Sequence, residues 1–399
     1  MNRAPRFRYY AAHSAEDAAA ALADDPRAIL LAGGTDVVPK LKRRQQSPEL
    51  IVSLRRAGEM RGIQSNGEIA IGAMTTLREL AADPRLREHH ALFRAASQIA
   101  TPLIRNTATL GGNLALDTRC NYYDQSEEWR EAIGGCRKAP RWWTESQSLG
   151  SSEFLGAPRH DMASQPAMSR HAPRNSEEPE ELRGTGWRGE ELRGTGRAAA
   201  GPLCWVAPSS PRCWAVSSSD AAPALIALGA RVTLLSQSGE RDLALEDLYR
   251  DDGIEPLTKH HGEVLTTIRL PRRWSSTYWK LRRRGSFDFP VLGVAAAIRF
   301  APDGHTVEEA RIVVGAVASR PLLLEEASML HGMTLTDDLV EAFAERAATH
   351  AKPLDNTDFT MTWRKSVARA FLAGVLRELR GDDPASFPLL IREATGGIR

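Results

Sequence analysis

The chain has 399 residues, and its 52 Lys and Arg stand against 50 Asp and Glu for a formal charge of +2. That balance leaves no electrostatic footprint for nucleic acid or an anionic membrane surface, and no stretch approaches the roughly 20 apolar residues that span a bilayer. Met1 to Tyr10 carries arginines with no apolar run behind them, so it does not read as a secretory signal; a cytoplasmic chain with reduced thiols is expected. The length allows two or three domains.

Up to Ala115 the pattern alternates between helix and strand. Ser14 is a candidate N-cap for an Ala-rich helix over Ala15 to Ala23, with Glu16 and Asp17 in its first turn. The short apolar runs Ile29 to Ala32 and Leu50 to Leu54 read as buried strands, and Glu68 to Ala73 as a third. Thr76 to Ala82 and His90 to Ile99 read as amphipathic helices. From about Lys138 to Gly201 apolar periodicity vanishes, and a polar ten-residue repeat (Glu180 to Gly186, restated as Glu190 to Gly196) is too short for a solenoid. This segment, 138–201, is expected to be a disordered surface insert. Order resumes at Leu203, with a helix over Ala221 to Leu228 and strands over Ala230 to Leu235 and Val264 to Leu270. Beyond it, strands Tyr278 to Arg282, Val291 to Phe300 and Ala310 to Ala318 suit an antiparallel sheet covered by helices Leu335 to His350 and Thr360 to Arg380.

Two glycine turns stand out. Leu31-Ala32-Gly33-Gly34-Thr35-Asp36 ends a buried strand where residues without Cβ let the backbone approach a ligand, and consecutive free N–H groups there could cradle a pyrophosphate. A structural strand-to-helix turn explains the same residues. The pattern is not G-x-G-x-x-G, which disfavours a Rossmann site. Thr109-Leu110-Gly111-Gly112-Asn113 follows the same logic, so the pair reads as one dinucleotide gripped at two places. No Ser-His-Asp set, HExxH helix or paired-carboxylate cleft is evident among the residues, and the pairs His89-His90 and His260-His261 are expected in solvent.

The segments LLAGGTDVVPK (Leu30 to Lys40), TATLGGNL (Thr107 to Leu114) and SSDAAPALIALGARVTLLS (Ser218 to Ser236), in this order, resemble the FAD-binding subunit of the xanthine dehydrogenase and carbon monoxide dehydrogenase (molybdenum hydroxylase) family. RGSFDFPVLGVAAAI (Arg284 to Ile298) and ASRPLLLEEA (Ala318 to Ala327) are similar to that family's C-terminal domain. The resemblance implies an α+β fold: an FAD-binding domain of two α/β subdomains (PCMH-type) over 1–272, then a smaller antiparallel sheet-plus-helix domain over 277–380. It places Leu30, Leu31, Ala32, Gly33, Gly34, Thr35, Asp36 and Val37 around the FAD pyrophosphate. Ile99, Ala100 and Thr101 come near the cofactor, and Thr109, Gly111, Gly112 and Asn113 form the second loop. Asp220 would hold a polar group of the dinucleotide, or cap the helix that follows it. Leu265 and Lys280 are further carry-overs, with a strand-core leucine and a solvated lysine as the bland alternatives.

All four cysteines fall in one region, in DTRCNYYDQSEEWREAIGGC (Asp117 to Cys136) and CWVAPSSPRC (Cys204 to Cys213). From the residues alone they are core thiols, reactive thiols or metal ligands, and four thiolates suit [4Fe–4S] or zinc equally. They resemble the inserted loop of the 4-hydroxybenzoyl-CoA reductase β subunits, which implies an iron–sulfur loop over 117–213. Cys120, Cys136, Cys204 and Cys213 would be its [4Fe–4S] ligands, and Asn121 would lie near the flavin. That pattern has only a few residues between the second and third cysteines, whereas here 67 intervene. A loop roughly tenfold longer costs only about 2 kcal/mol of closure entropy, so the cluster is expected to tolerate it.

The resemblance implies an electron-transfer subunit with no catalytic side chain of its own. Its partners would be a molybdopterin-binding large subunit and a [2Fe–2S] small subunit. Electrons from a low-potential donor such as ferredoxin would pass through the cluster and FAD, for dehydroxylation of 4-hydroxybenzoyl-CoA to benzoyl-CoA. Two alternatives stay open: the FAD subunit of an aerobic hydroxylase with the reverse flow, and a zinc-stabilised nucleotide-binding module without redox duty.

Overall fold

Ser14 opens the first helix, α1 (Ala15–Asp24), by accepting the Asp17 N–H on its hydroxyl at 3.1 Å, which satisfies one of the orphan donors of the first turn. The computed structural model describes residues 3–65, 67–139, 203–271, 274–383 and 386–387. The insert expected over 138–201 lies, apart from Lys138 and Ala139, outside the described residues.

Three sheets organise the chain. Strands β1 (Arg8–Ala11), β2 (Ala28–Leu31) and β3 (Leu50–Ser53) form a parallel sheet in the order β1-β3-β2. Parallel neighbours need crossovers; α1 supplies one and α2 (Val37–Lys42) the other. Strands β4 (Ile63–Ser65), β5 (Ile69–Gly72), β6 (Arg231–Ser236), β7 (Gly239–Ala244) and β8 (Val264–Leu270) make an antiparallel sheet in the order β4-β5-β8-β6-β7. The buried face of α1, Ala15, Ala18, Ala19 and Leu22, packs between these two sheets. Around them lie α3 (Leu77–Ala82), closed by a Thr76–Glu79 capping box, then α4 (His90–Gln98), α5 (Pro102–Arg105), α6 (Leu110–Leu114) and α7 (Glu127–Ala132).

The third sheet is antiparallel, in the order β12 (Leu322–Leu323), β11 (Val307–Gly315), β10 (Leu292–Phe300), β9 (Ser275–Leu281). Its central strand is apolar on both faces because both are covered. Val294, Ala296 and Ile298 face a core shared with helices Asp337–Ala348 and Met361–Arg380. Ala295 and Ala297 join the core of the first two sheets, where α4 and helix Ala221–Ala227 pack. A second link is polar: Glu378 of the last helix receives Arg94 of α4 at 2.8 and 3.1 Å, and also the Thr277 hydroxyl and the Trp279 indole N–H.

The fold is thus mixed helix and sheet, an FAD-domain-like pair of subdomains followed by a small antiparallel sheet domain. Among the described residues no helix is long and apolar enough to cross a membrane. His89, expected in solvent, is buried.

Candidate functional site

A cavity of about 340 Å³ opens between the first two sheets. Its floor is the turn that follows β2. Leu30, Ala32, Gly33, Gly34, Thr35, Asp36 and Val37 all line it, while Leu31 does not. Among the described residues the N–H groups of Gly33, Gly34, Thr35 and Asp36 have no acceptor; a run of free amide donors is what an anion needs. Gly34 adopts φ +74°, which costs a side chain about 1–2 kcal/mol.

The second turn also borders the cavity, through Thr109, Gly111, Gly112 and Asn113, yet it departs from the expected grip. Four of its five amides are already satisfied: Leu110 donates to the Thr75 carbonyl, Gly111 to that of Ala73, Gly112 to the Thr109 hydroxyl and Asn113 to the Thr109 carbonyl. Its glycines serve close packing instead. A Cβ on Gly111 would fall 2.7 Å from that of Ala73, and one on Gly33 would fall 2.0 Å from the Thr107 carbonyl oxygen. The two turns therefore form one wall, with the run of free donors on the first and, among the described residues, only the Thr109 N–H without an acceptor on the second.

Ile99, Ala100 and Leu265 line the cavity; Thr101 does not, its hydroxyl capping α5. Ala100 sits at φ +47° and Phe287 at +75°, and the Phe287 N–H donates to the Ala100 carbonyl. This strained pair closes one side of the cavity, together with Phe289. Arg119 lies over the Phe289 ring at 3.5 Å and pairs with Asp36. None of Phe287, Phe289 and Arg119 was singled out from the sequence, although the first two lie in the quoted RGSFDFP segment. Lys259, also on the wall, is held down to about 8 by burial.

Asp220 and Lys280 lie behind this wall rather than on it. Both are buried, 3.0 Å apart, and the Tyr278 hydroxyl donates to Asp220 at 2.7 Å. Burial raises the Asp220 carboxyl and lowers the Lys280 ammonium, each opposed by the other's charge. The bland alternatives for both residues fail here. Lys280 is not solvated, and Asp220 makes no cap hydrogen bond. The Ser219 hydroxyl and Asn113 Oδ1 accept the Ala222 and Ala221 N–H groups in its place. Lys280 also donates to the Gln98 carbonyl at 3.2 Å, immediately before Ile99 and Ala100.

The four cysteines are all buried and line one small cavity of their own. Arg119 and Val216 exchange backbone hydrogen bonds, which brings Cys120 and Cys213 into one cluster. The Arg137 N–H donates to the Leu203 carbonyl and the Trp205 indole to that of Gly135. Residues far apart in sequence thus come together, and Cys136 and Cys204 line the same cavity. Burial pushes the Cys120 thiol up to about 12 and raises Cys213 as well, so any metal held there would have to displace their protons. Among the described residues no three His, Cys, Asp or Glu side chains converge closely enough to hold a single ion. Zinc requires sulfurs about 2.3 Å from one point; a four-iron cluster spreads its thiolates around a larger body. Asn121, expected near the flavin, lines neither cavity; its N–H donates to the Asn356 carbonyl.

Residues 5–273 match the family described as the FAD binding domain in molybdopterin dehydrogenase, and residues 276–379 match the CO dehydrogenase flavoprotein C-terminal domain. The chain belongs to this FAD-binding family. The aldehyde oxidoreductase FAD-binding subunit PaoB of Escherichia coli K12 is 27% identical over 386 residues, covering 94% of this chain and 98% of that one. The xanthine dehydrogenase FAD-binding subunit of Escherichia coli O157:H7 is 44% identical over 109 residues, 27% of this chain and only 37% of that relative. Carbon monoxide dehydrogenase from Hydrogenophaga pseudoflava superposes with a TM-score of 0.65 at 22% identity, over 94% of this chain and 97% of that one, which establishes a shared fold. For an FAD-binding chain the cavity is chemically apt: free amides and a threonine hydroxyl suit the pyrophosphate, and aliphatic and aromatic walls suit the ring systems.

Proposed function

We propose that the chain is the electron-carrying flavoprotein subunit of a molybdenum hydroxylase-type complex, with an iron–sulfur cluster on Cys120, Cys136, Cys204 and Cys213. The observation that carries this reading is adjacency. Arg119 lines the FAD cavity and the next residue, Cys120, lines the thiol cavity. FAD, when bound, supplies the redox chemistry. The protein's part is to hold it: the 33–36 turn takes the pyrophosphate, Ile99, Ala100 and Phe287 enclose the ring systems, and the Asp220–Lys280 pair fixes the wall behind them. The cysteines provide four buried thiols around one small cavity, the ligand number that suits a [4Fe–4S] centre. A molybdopterin-binding large subunit and a [2Fe–2S] small subunit complete the complex in this reading.

Two directions of electron flow fit this arrangement. The four-thiol pocket supports inward flow from a ferredoxin-like donor, for dehydroxylation of 4-hydroxybenzoyl-CoA. The relatives named as xanthine and carbon monoxide dehydrogenase subunits support outward flow in an oxidising hydroxylase. Turnover of the complex with 4-hydroxybenzoyl-CoA and a reductant, or with an oxidisable heterocycle and an acceptor, separates them. The cluster has its own test. Cys120→Ala and Cys213→Ala are each expected to remove iron and acid-labile sulfide while FAD stays bound. Iron and sulfide retained in both variants exclude these cysteines as ligands, and zinc in place of iron favours the zinc-stabilised module.

A further inference from the structure

A buried row of charges joins the two sites. It starts at Asp36 in the first glycine turn, already paired with Arg119. Asp36 meets Lys40 at 3.2 Å, Lys40 meets Asp117 at 2.7 Å, and Asp117 meets Lys138 at 2.5 Å. The Lys40 side chain is 1% exposed and that of Lys138 is 6%. Lys138 ends the row on the wall of the cysteine cavity, where it also donates to the Thr118 hydroxyl and the Gly253 carbonyl. Burying two lysines is costly unless each keeps its partners, and the fold of either cavity alone does not call for them.

We infer that this row is a coupling element in which Lys138 serves both sites: it is the counter-charge to the centre held by the four cysteines and the far end of the chain that sets the charge on the FAD pyrophosphate turn. The inference rests on the flavin and cluster assignments proposed above. Its sign follows from the pairings. Asp36 repels a pyrophosphate unless Lys40 and Arg119 neutralise it. Lys40 is shared between Asp36 and Asp117, and Lys138 occupies the other oxygen of Asp117. Removing Lys138 leaves Asp117 to draw Lys40 away from Asp36, which weakens FAD. Neutralising Asp117 returns Lys40 to Asp36, which keeps or tightens FAD. At the other end, losing a buried cation beside the thiolates makes an added electron less welcome there.

The experiment is FAD titration of the full-length chain, followed by flavin fluorescence, for wild type, Lys138→Met, Lys138→Arg and Asp117→Asn. Lys138→Met is expected to raise the FAD Kd about five- to tenfold, at the lower end of ordinary coupling energies. Lys138→Arg restores it, and Asp117→Asn leaves it equal or lower. In chains reconstituted with iron and sulfide, the midpoint potential of the centre falls in Lys138→Met. An unchanged Kd in Lys138→Met overturns the coupling, as does an equal weakening in Asp117→Asn, which marks a merely structural role. An unchanged potential overturns the cysteine end. A wild-type chain that binds no FAD, or takes up no iron, shows instead that the assignment beneath has failed.

Discussion

Replacing Gly33 by valine is expected to cost the chain its flavin. The Cβ alone would lie 2.0 Å from the Thr107 carbonyl oxygen, with backbone on the far side and nothing flexible to yield. The two turns must part, at about 1–3 kcal/mol for overpacking, and the free amides of Gly33, Gly34 and Thr35 lose their common aim. Hydrogen bonds to a charged acceptor contribute about 1.5–3 kcal/mol each. Losing two of them weakens FAD by more than a hundredfold, at about 1.4 kcal/mol per tenfold. The other glycines grade the effect. Gly34→Ala meets only side-chain atoms but keeps an unfavourable φ, and Gly112→Ala meets the Thr109 hydroxyl at 3.0 Å, which can give. The expected order of FAD loss is Gly33, then Gly34, then Gly112, read by equilibrium dialysis. A Gly33 variant with wild-type affinity removes the turn from the site.

Lys280→Met is expected to destabilise the chain by about 3–5 kcal/mol, because it strands the Asp220 carboxylate in the interior. Tyr278 still donates to that carboxylate but cannot replace the charge. Asp220→Asn is milder, because an amide oxygen still accepts from the Tyr278 hydroxyl or the Lys280 ammonium, which also keeps the Gln98 carbonyl. The double variant is expected to be more stable than Lys280→Met alone, the signature of a buried pair whose desolvation cost is close to its mutual attraction. Urea unfolding of the three variants decides it. Additive losses contradict the pairing. FAD affinity should fall with Lys280→Met as well, because the ammonium holds the Gln98 carbonyl next to the Ile99–Ala100 wall.

Where a segment's own residues carry the reason for its structure, the sequence was readable. Ser14 capping α1, the buried run that becomes β2 and the alternating run that becomes β5 all satisfy local rules. Strands β1 (RYYA) and β7 (GERDLA) escaped notice because they are largely exposed edges without an apolar face. The site divides in the same way. The glycine turns could be found from their composition, but which of them keeps free donors depends on Ala73 and Thr75, and no local pattern shows that. Lys280 stood out only through the family resemblance, because its partner lies sixty positions away in Asp220. Arg119, Phe287 and Phe289 meet only when the third sheet docks on the first two. The cysteines were conspicuous from the start, and the Arg137 N–H on the Leu203 carbonyl and the Trp205 indole on that of Gly135 draw the two ends of the long spacing together.

The central claim is that the cavity between the glycine turns is a site for FAD. The most direct measurement is the flavin released by heat from the full-length chain after incubation with FAD and gel filtration, compared with the Gly33→Val chain. Close to one FAD per wild-type chain is expected, with little or none in the variant. A folded wild-type chain that retains no flavin, or a variant that retains as much as the wild type, contradicts it.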